Sequence, residues 1–191
     1  MLEVRFHGRG GQGTVVATIL LAKAFFKAGY QVQTFPLFGV ERRGAPVEAY
    51  IRLDTQTILT RTNVYSPDHV VVQDLTLLHS IDVTKGLKPG GWILINSSAP
   101  PEDFSAFTQF RLACINASKI ALRHRLGTRT HPMVNTSMIG AFSRILEMPS
   151  LEAIASAIKE DIPNEYEENI RAAEDAYHEV TIVNMNSRAQ E

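Results

Sequence analysis

Leu2-Glu3-Val4-Arg5-Phe6-His7-Gly8-Arg9-Gly10-Gly11-Gln12-Gly13 decides how this chain is read: an alternating apolar run ends in a burst of glycine, and a helix-like segment, 14–28, follows at once. A strand, a tight turn and a helix start are implied in that order. Gly8, Gly10 and Gly13 match the G-x-G-x-x-G spacing, in which glycine permits the turn, lets backbone approach a ligand and lets helix lie close on strand. Unpaired N–H groups at such a helix start face an anion. Glycine turns of this kind also occur without a ligand, so the neighbouring residues must decide.

Working outward, Val15, Val16, Ile19, Leu20, Ala22, Phe25 and Phe26 recur at helical spacing and Gly29 stops the helix. Residues 30–35 read as a second strand, completing a β-α-β unit with a right-handed, parallel crossover. Val47, Ala49, Ile51 and Leu53 alternate with Glu48, Tyr50, Arg52 and Asp54, which reads as an edge strand with one wetter face. Ile58-Leu59 suggests a short antiparallel partner for it. Residues 69–74 and 92–96 are apolar runs of the type buried on both faces, with a short helix at 75–81 and a last strand at 110–115. Helical periodicity follows at 117–126, 134–146, 151–158 and 165–178, the last carrying acidic residues that read as a solvated face. The pattern predicts an α/β fold: a doubly wound, mainly parallel, Rossmann-like sheet with extra C-terminal helices. One domain over 1–183 is expected, followed by a frayed tail at 184–191.

The chain has 191 residues, 45% hydrophobic and 20% charged, with a formal charge of -1, so it offers no general attraction to nucleic acid or an anionic membrane. Its one cysteine, Cys114, cannot hold an iron–sulfur cluster, and no Cys/His group has zinc spacing. No apolar run approaches the ~20 residues of a membrane span and no signal-peptide pattern opens the sequence, which makes the cytoplasm the expected location.

Ligands of open α/β sheets lie beyond the carboxyl ends of the strands. There this chain places the 8–13 loop, the segment 36–46, Gln73-Asp74 and Asn96-Ser97-Ser98. Arg42 and Arg43, beside Gly44, are suited to forked hydrogen bonds with phosphate or carboxylate, or equally to pairing with Glu41 or a partner subunit. An NAD site wants an acid about 20 residues beyond the glycine loop, yet no Asp or Glu occurs between Gly13 and Val40. Arg42 or Arg43 facing a 2′-phosphate keeps a stand-alone NADP-binding reductase as an alternative. Thr14 stands where a P-loop requires lysine, and no G-x-S-x-G elbow occurs. Cys114 lies in an apolar run and reads as a buried, inert thiol. His7 and His131 read as structural, and Asn135 as a helix cap ahead of a crevice residue. No catalytic set emerges, so these residues describe a binding module.

Together with Gly8-Arg9-Gly10-Gly11-Gln12-Gly13, the stretch Phe38-Gly39-Val40-Glu41-Arg42-Arg43-Gly44-Ala45-Pro46-Val47 resembles the gamma subunit of the 2-oxoacid:ferredoxin oxidoreductases, especially the pyruvate and 2-oxoisovalerate types. The likeness runs over about residues 1 to 180, and Val40 departs from a proline usual in the family. The resemblance implies a holoenzyme that decarboxylates a 2-oxo acid on thiamine diphosphate, passes electrons through iron–sulfur clusters to ferredoxin and transfers the acyl group to coenzyme A. It implies alpha, beta and delta subunits as partners, with the thiamine diphosphate and clusters held there. Coenzyme A contact is then expected at Gly8, Arg9, Gly10, Gly11, Gln12, Gly13, Arg42, Arg43 and Gly44. A purely structural subunit is the other alternative.

Overall fold

A computed structural model describes residues 1–37 and 44–183. Arg42 and Arg43, with the rest of 38–43, and the expected tail at 184–191 lie outside the described residues. The first strand, β1 (Leu2–Arg9), runs into α1 (Thr14–Lys27), followed by β2 (Gln31–Leu37), β3 (Pro46–Asp54), β4 (His69–Val72), β5 (Trp92–Asn96) and β6 (Arg111–Ile115). Then come α2 (Ala117–Arg123), the small hairpin β7 (Gly127–Thr128) and β8 (His131–Pro132), α3 (Asn135–Leu146), α4 (Leu151–Asp161), α5 (Tyr166–Glu179) and β9 (Thr181–Val183).

The main sheet has the order β2-β3-β1-β4-β5-β6-β9. Its centre, β1, β4, β5 and β6, is parallel, as the short apolar runs 69–72 and 92–96 require of strands covered on both faces. The α/β, mainly parallel reading therefore holds. On one face, residues of all five α-helices join Val4, Phe6, Val71 and Leu94 in a single core. The other face buries Val70, Val72, Ile93 and Ile95 under loops and short 3₁₀ turns, among them Leu75–His79, which replaces the helix expected at 75–81.

The wetter strand differs most from expectation. β3 is not at an edge: it lies between β2 and β1, antiparallel to both, so β2 runs parallel to β1 without touching it. Its polar face is covered by its own partners rather than by water. Arg52, 1% exposed, donates from Nε to Glu3 Oε1 at 2.7 Å and places its guanidinium over the Phe35 ring, which stacks on Tyr50. Ile58-Leu59 forms no strand; Ile58 instead accepts a bond from the Gln33 amide through its carbonyl oxygen. The sheet ends in β9, antiparallel to β6 and too short to carry a sequence pattern. The acidic face of α5 is also partly engaged, since Asp175 bonds both His124 and Arg123.

α1 closes as predicted near Gly29: the Tyr30 amide donates to Phe25 O at 3.1 Å while the two rings meet edge to face, a Schellman end with its hydrophobic contact. No helix among the described residues is long and apolar enough to cross a membrane.

Candidate functional site

At the carboxyl end of β1 the chain turns through Gly10-Gly11-Gln12 and enters α1 at Gly13, whose φ of +74° is a left-handed conformation that glycine adopts without strain. No side chain caps α1 and no acidic residue stands in its first turn. The helix start therefore keeps its partial positive charge and its free amides. Among the described residues the Gly11 and Gly13 amides also find no backbone acceptor. Gly8 serves packing instead. A Cβ there would overlap Thr14 Oγ1 and come within 2.8 Å of Gln73 Oε1, so glycine is what lets β1, β4 and α1 meet.

The polar side chains of the loop build it. The Gln12 carbonyl oxygen accepts from the Arg9 amide at 2.8 Å, and its Nε2 donates to Asp74 Oδ2 at 2.7 Å. Arg9 donates to Thr76 Oγ1 and to Gly44 O, with its Nε 3.4 Å from Asp74. Asp74 in turn accepts from the Thr76 amide at 3.0 Å. Burial alone would raise the pKa of the Asp74 carboxyl; the bonds from Thr76 and Gln12 outweigh it and hold the group below the ordinary carboxylate range. A second clasp fixes the loop to the chain leading into β3: Gly10 N–H donates to Ala45 O at 2.9 Å and Gly44 N–H to Gly10 O at 3.0 Å.

These residues open onto a cleft of about 290 Å³ lined by Arg9, Gly10, Gly11, Gln12, Gly44 and Asp74 on one side and by Thr130, His131 and Pro132 on the other. The cleft thus brings together Arg9, Gly10, Gly11, Gln12 and Gly44 of the expected residues, whereas Gly8 packs against Thr14 and Gln73 and Gly13 is the N-cap of α1, neither lining the cleft. Asn96 and Ser97 belong elsewhere: Asn96 ties Gln73 O to Ser118 Oγ, and Ser97 lines a separate depression with Cys114 and Lys119. Cys114 is inert, its thiol pushed up to about 12 by burial. His7 is buried and its pKa is lowered to about 4 by desolvation against the opposing pull of Glu48, and neither ring nitrogen has a hydrogen-bond partner among the described residues.

His131, read as structural, lies on the cleft wall in the β7–β8 hairpin, and Asn135 differs from its sequence reading. Asn135 does not cap α3: Val134 is the N-cap, no side chain fills that role, and Asn135 is the first helical residue. Its Oδ1 accepts from Thr136 N–H at 3.0 Å, and its Nδ2 lies 2.8 Å from where a Gly13 Cβ would be. No local sequence signal announces this, since the contact joins two helix starts more than a hundred residues apart.

The described residues thus form a mostly parallel α/β sheet whose glycine loop leads into a helix start that no side chain caps. The pyruvate ferredoxin/flavodoxin oxidoreductase family model matches residues 3–179. The pyruvate/ketoisovalerate oxidoreductases common subunit gamma of Thermococcus kodakarensis is 43% identical over 189 residues, covering 97% of this chain and all of that one. In structure the chain is similar to pyruvate oxidoreductase subunit PORC of Thermotoga maritima, with a TM-score of 0.80, 35% identity and coverage of 96% and 98% of the two chains. The fold also matches 30% of a longer chain of the 2-oxoglutarate:ferredoxin oxidoreductase of Magnetococcus marinus, over 93% of this one, at a TM-score of 0.71 and 18% identity. The chain belongs to the pyruvate ferredoxin/flavodoxin oxidoreductase family, and its full-length likeness is to that family's gamma subunits.

Proposed function

We propose that this chain is the gamma subunit of a multi-subunit pyruvate:ferredoxin oxidoreductase that makes acyl-CoA, CO₂ and reduced ferredoxin, and that its glycine loop helps to enclose coenzyme A. One observation carries the reading: Gly10, Gly11 and Gln12 line an open cleft immediately ahead of the uncapped start of α1, and among the described residues the Gly11 amide has no backbone acceptor, so that a backbone donor and a helix dipole suit a phosphate. Arg9 and Gln12 serve by shaping the loop, because their polar atoms are bonded to Thr76, Gly44 and Asp74. Gly44, the first described residue after the arginine-bearing segment, is on the cleft wall, and in this reading Arg42 and Arg43 add positive charge to that of Arg9.

A cleft of about 290 Å³ is at the small end of ligand sites, enough for a diphosphate and not for a whole coenzyme. The rest of the coenzyme, the thiamine diphosphate and the iron–sulfur clusters then belong with the alpha, beta and delta subunits, in agreement with a chain of one buried cysteine. The Magnetococcus marinus enzyme, part of which shares this fold, is described with 2-oxoglutarate, coenzyme A and succinyl-CoA bound. The test is the purified holoenzyme carrying Arg42→Ala and Arg43→Ala together. Its KM for coenzyme A should rise about tenfold or more while its KM for pyruvate stays the same. An unchanged coenzyme affinity overturns the assignment, and dissociation of the complex without a coenzyme effect supports a structural role instead.

A further inference from the structure

The two edges of the main sheet are built differently. β9 closes one side with three residues, too short to offer a neighbour much of a ladder. β2 closes the other with seven, in unbroken register with β3 from Gln31 opposite Asp54 to Leu37 opposite Glu48. Among the described residues no strand covers its outward row of N–H and C=O groups. Such an edge is a template for a further strand, and proteins that keep it unpaired blunt it with charge, a bulge or proline. Gln31–Leu37 has no charged residue and no bulge, and its one proline, Pro36, stands next to its end.

Alongside this edge lies a hollow of about 480 Å³, lined by the successive residues Val32 to Phe35 of β2 together with Arg52, Arg61 and Asn63. Among the described residues no acid lines it. Arg61 is exposed and enters no salt bridge among the described residues. Arg52 commits its Nε to Glu3 and its Nη2 to the Thr62 carbonyl at 2.6 Å, while its Nη1 has no hydrogen-bond partner among the described residues. Apolar side chains stand beside this charge. Leu37 is 44% exposed, and Leu59, 83% exposed, follows Ile58, whose carbonyl holds the Gln33 amide.

We propose that β2 is a docking edge: an extended segment of another subunit of the complex pairs along it and sets a carboxylate side chain in the hollow against Arg61 and Arg52. The proposal rests on the reading of this chain as a subunit of a multi-subunit oxidoreductase. A row of alternating donors and acceptors suits a backbone and would stay unpaired beside a small free anion, and the two guanidinium groups call for an acid on that backbone. A second copy of this chain matches less well. Pairing β2 with β2 about a twofold axis joins the patch to itself, which supplies arginine where a carboxylate is needed.

Hydrogen exchange over residues 31–37, compared between the intact complex and the isolated full-length chain, reads the pairing directly. Docking predicts outward amides slowed about tenfold or more in the complex. A complex in which they exchange within about twofold of the isolated chain overturns the proposal and leaves the subunit reading standing. A chain that purifies with no partner subunit overturns both. Protection that grows with the concentration of the isolated chain puts a second copy on the edge and overturns the proposal as well. Arg61→Glu tests the charge: the Kd for assembly, read by diluting the complex, should rise about tenfold or more while the urea midpoint of the isolated variant stays at the wild-type value, and Arg61→Lys should keep most of the affinity. An unchanged Kd in Arg61→Glu removes the carboxylate contact and with it the proposal. Should the isolated chain not stay folded, the dilution series of the complex decides alone.

Discussion

Gln12 and Asp74 form the latch of the glycine loop: the Gln12 Nε2 donates to Asp74 Oδ2 at 2.7 Å while the other end of the same amide holds the Arg9 N–H at 2.8 Å. One side chain thus ties the turn to the end of β4 and to itself, which presets the backbone amides before a ligand arrives.

Gln12→Glu should spring this latch. It sets a carboxylate against Asp74, and like charges in a half-buried site disfavour each other. The subunit is expected to lose about 1–3 kcal/mol of stability in urea denaturation, and the holoenzyme to lose affinity for coenzyme A. Gln12→Glu with Asp74→Asn restores an amide–carboxylate pair with roles reversed, and most of both losses should be recovered.

Gly8 is limited by space. Gly8→Ala places its methyl group on Thr14 Oγ1 and should destabilise the fold by about 1–3 kcal/mol. Thr14→Ala removes that oxygen, so the double variant should recover part of the loss in a thermodynamic cycle. Additive effects would mean that the crowding lies elsewhere.

Breaking the pair beneath β3 should cost more. Glu3→Ala leaves Arg52, 1% exposed, without its carboxylate, and an uncompensated buried charge of this kind costs about 3–5 kcal/mol. Glu3→Ala with Arg52→Met, which removes both charges, should be markedly more stable than Glu3→Ala alone by chemical denaturation.

Acid should weaken the fold through His69. Burial, opposed by Asp68, lowers its pKa from 6.5 to about 4, and its Nδ1 accepts the Trp92 N–H at 3.1 Å, a bond that only the neutral ring can make. The unfolded chain takes up the proton near pH 6.5 and the folded chain does not. Stability from this group is therefore complete above pH 6.5 and declines as the pH falls toward 4, by up to about 3 kcal/mol. His69→Gln should flatten the dependence of the urea midpoint between pH 7 and pH 4 relative to wild type.

Much of the architecture is legible in the sequence because local pattern and long-range packing agree. The run 92–96 is a central strand and looks like one, and the burst of glycine at 8–13 marks the loop that opens on the cleft. β3 misleads because alternation reports only that one face is polar. Whether water or an opposing ion pair meets that face depends on Glu3, some fifty residues away, and on Phe35 of β2. Asn135 misleads for a related reason: asparagine near a helix start favours capping, but Val134 holds the N-cap position and Asn135 is already helical, with its amide beside Gly13. β9 gains its strand geometry only from the edge of β6 and has no signature of its own.

The most direct test of the central claim is hydrogen–deuterium exchange of the intact complex, with and without coenzyme A, followed over residues 8–18. Coenzyme A should slow exchange of the Gly11, Gly13 and first-turn α1 amides, and NADP should not. Unchanged exchange there at saturating coenzyme A, with protection appearing only on other surfaces, would contradict the claim.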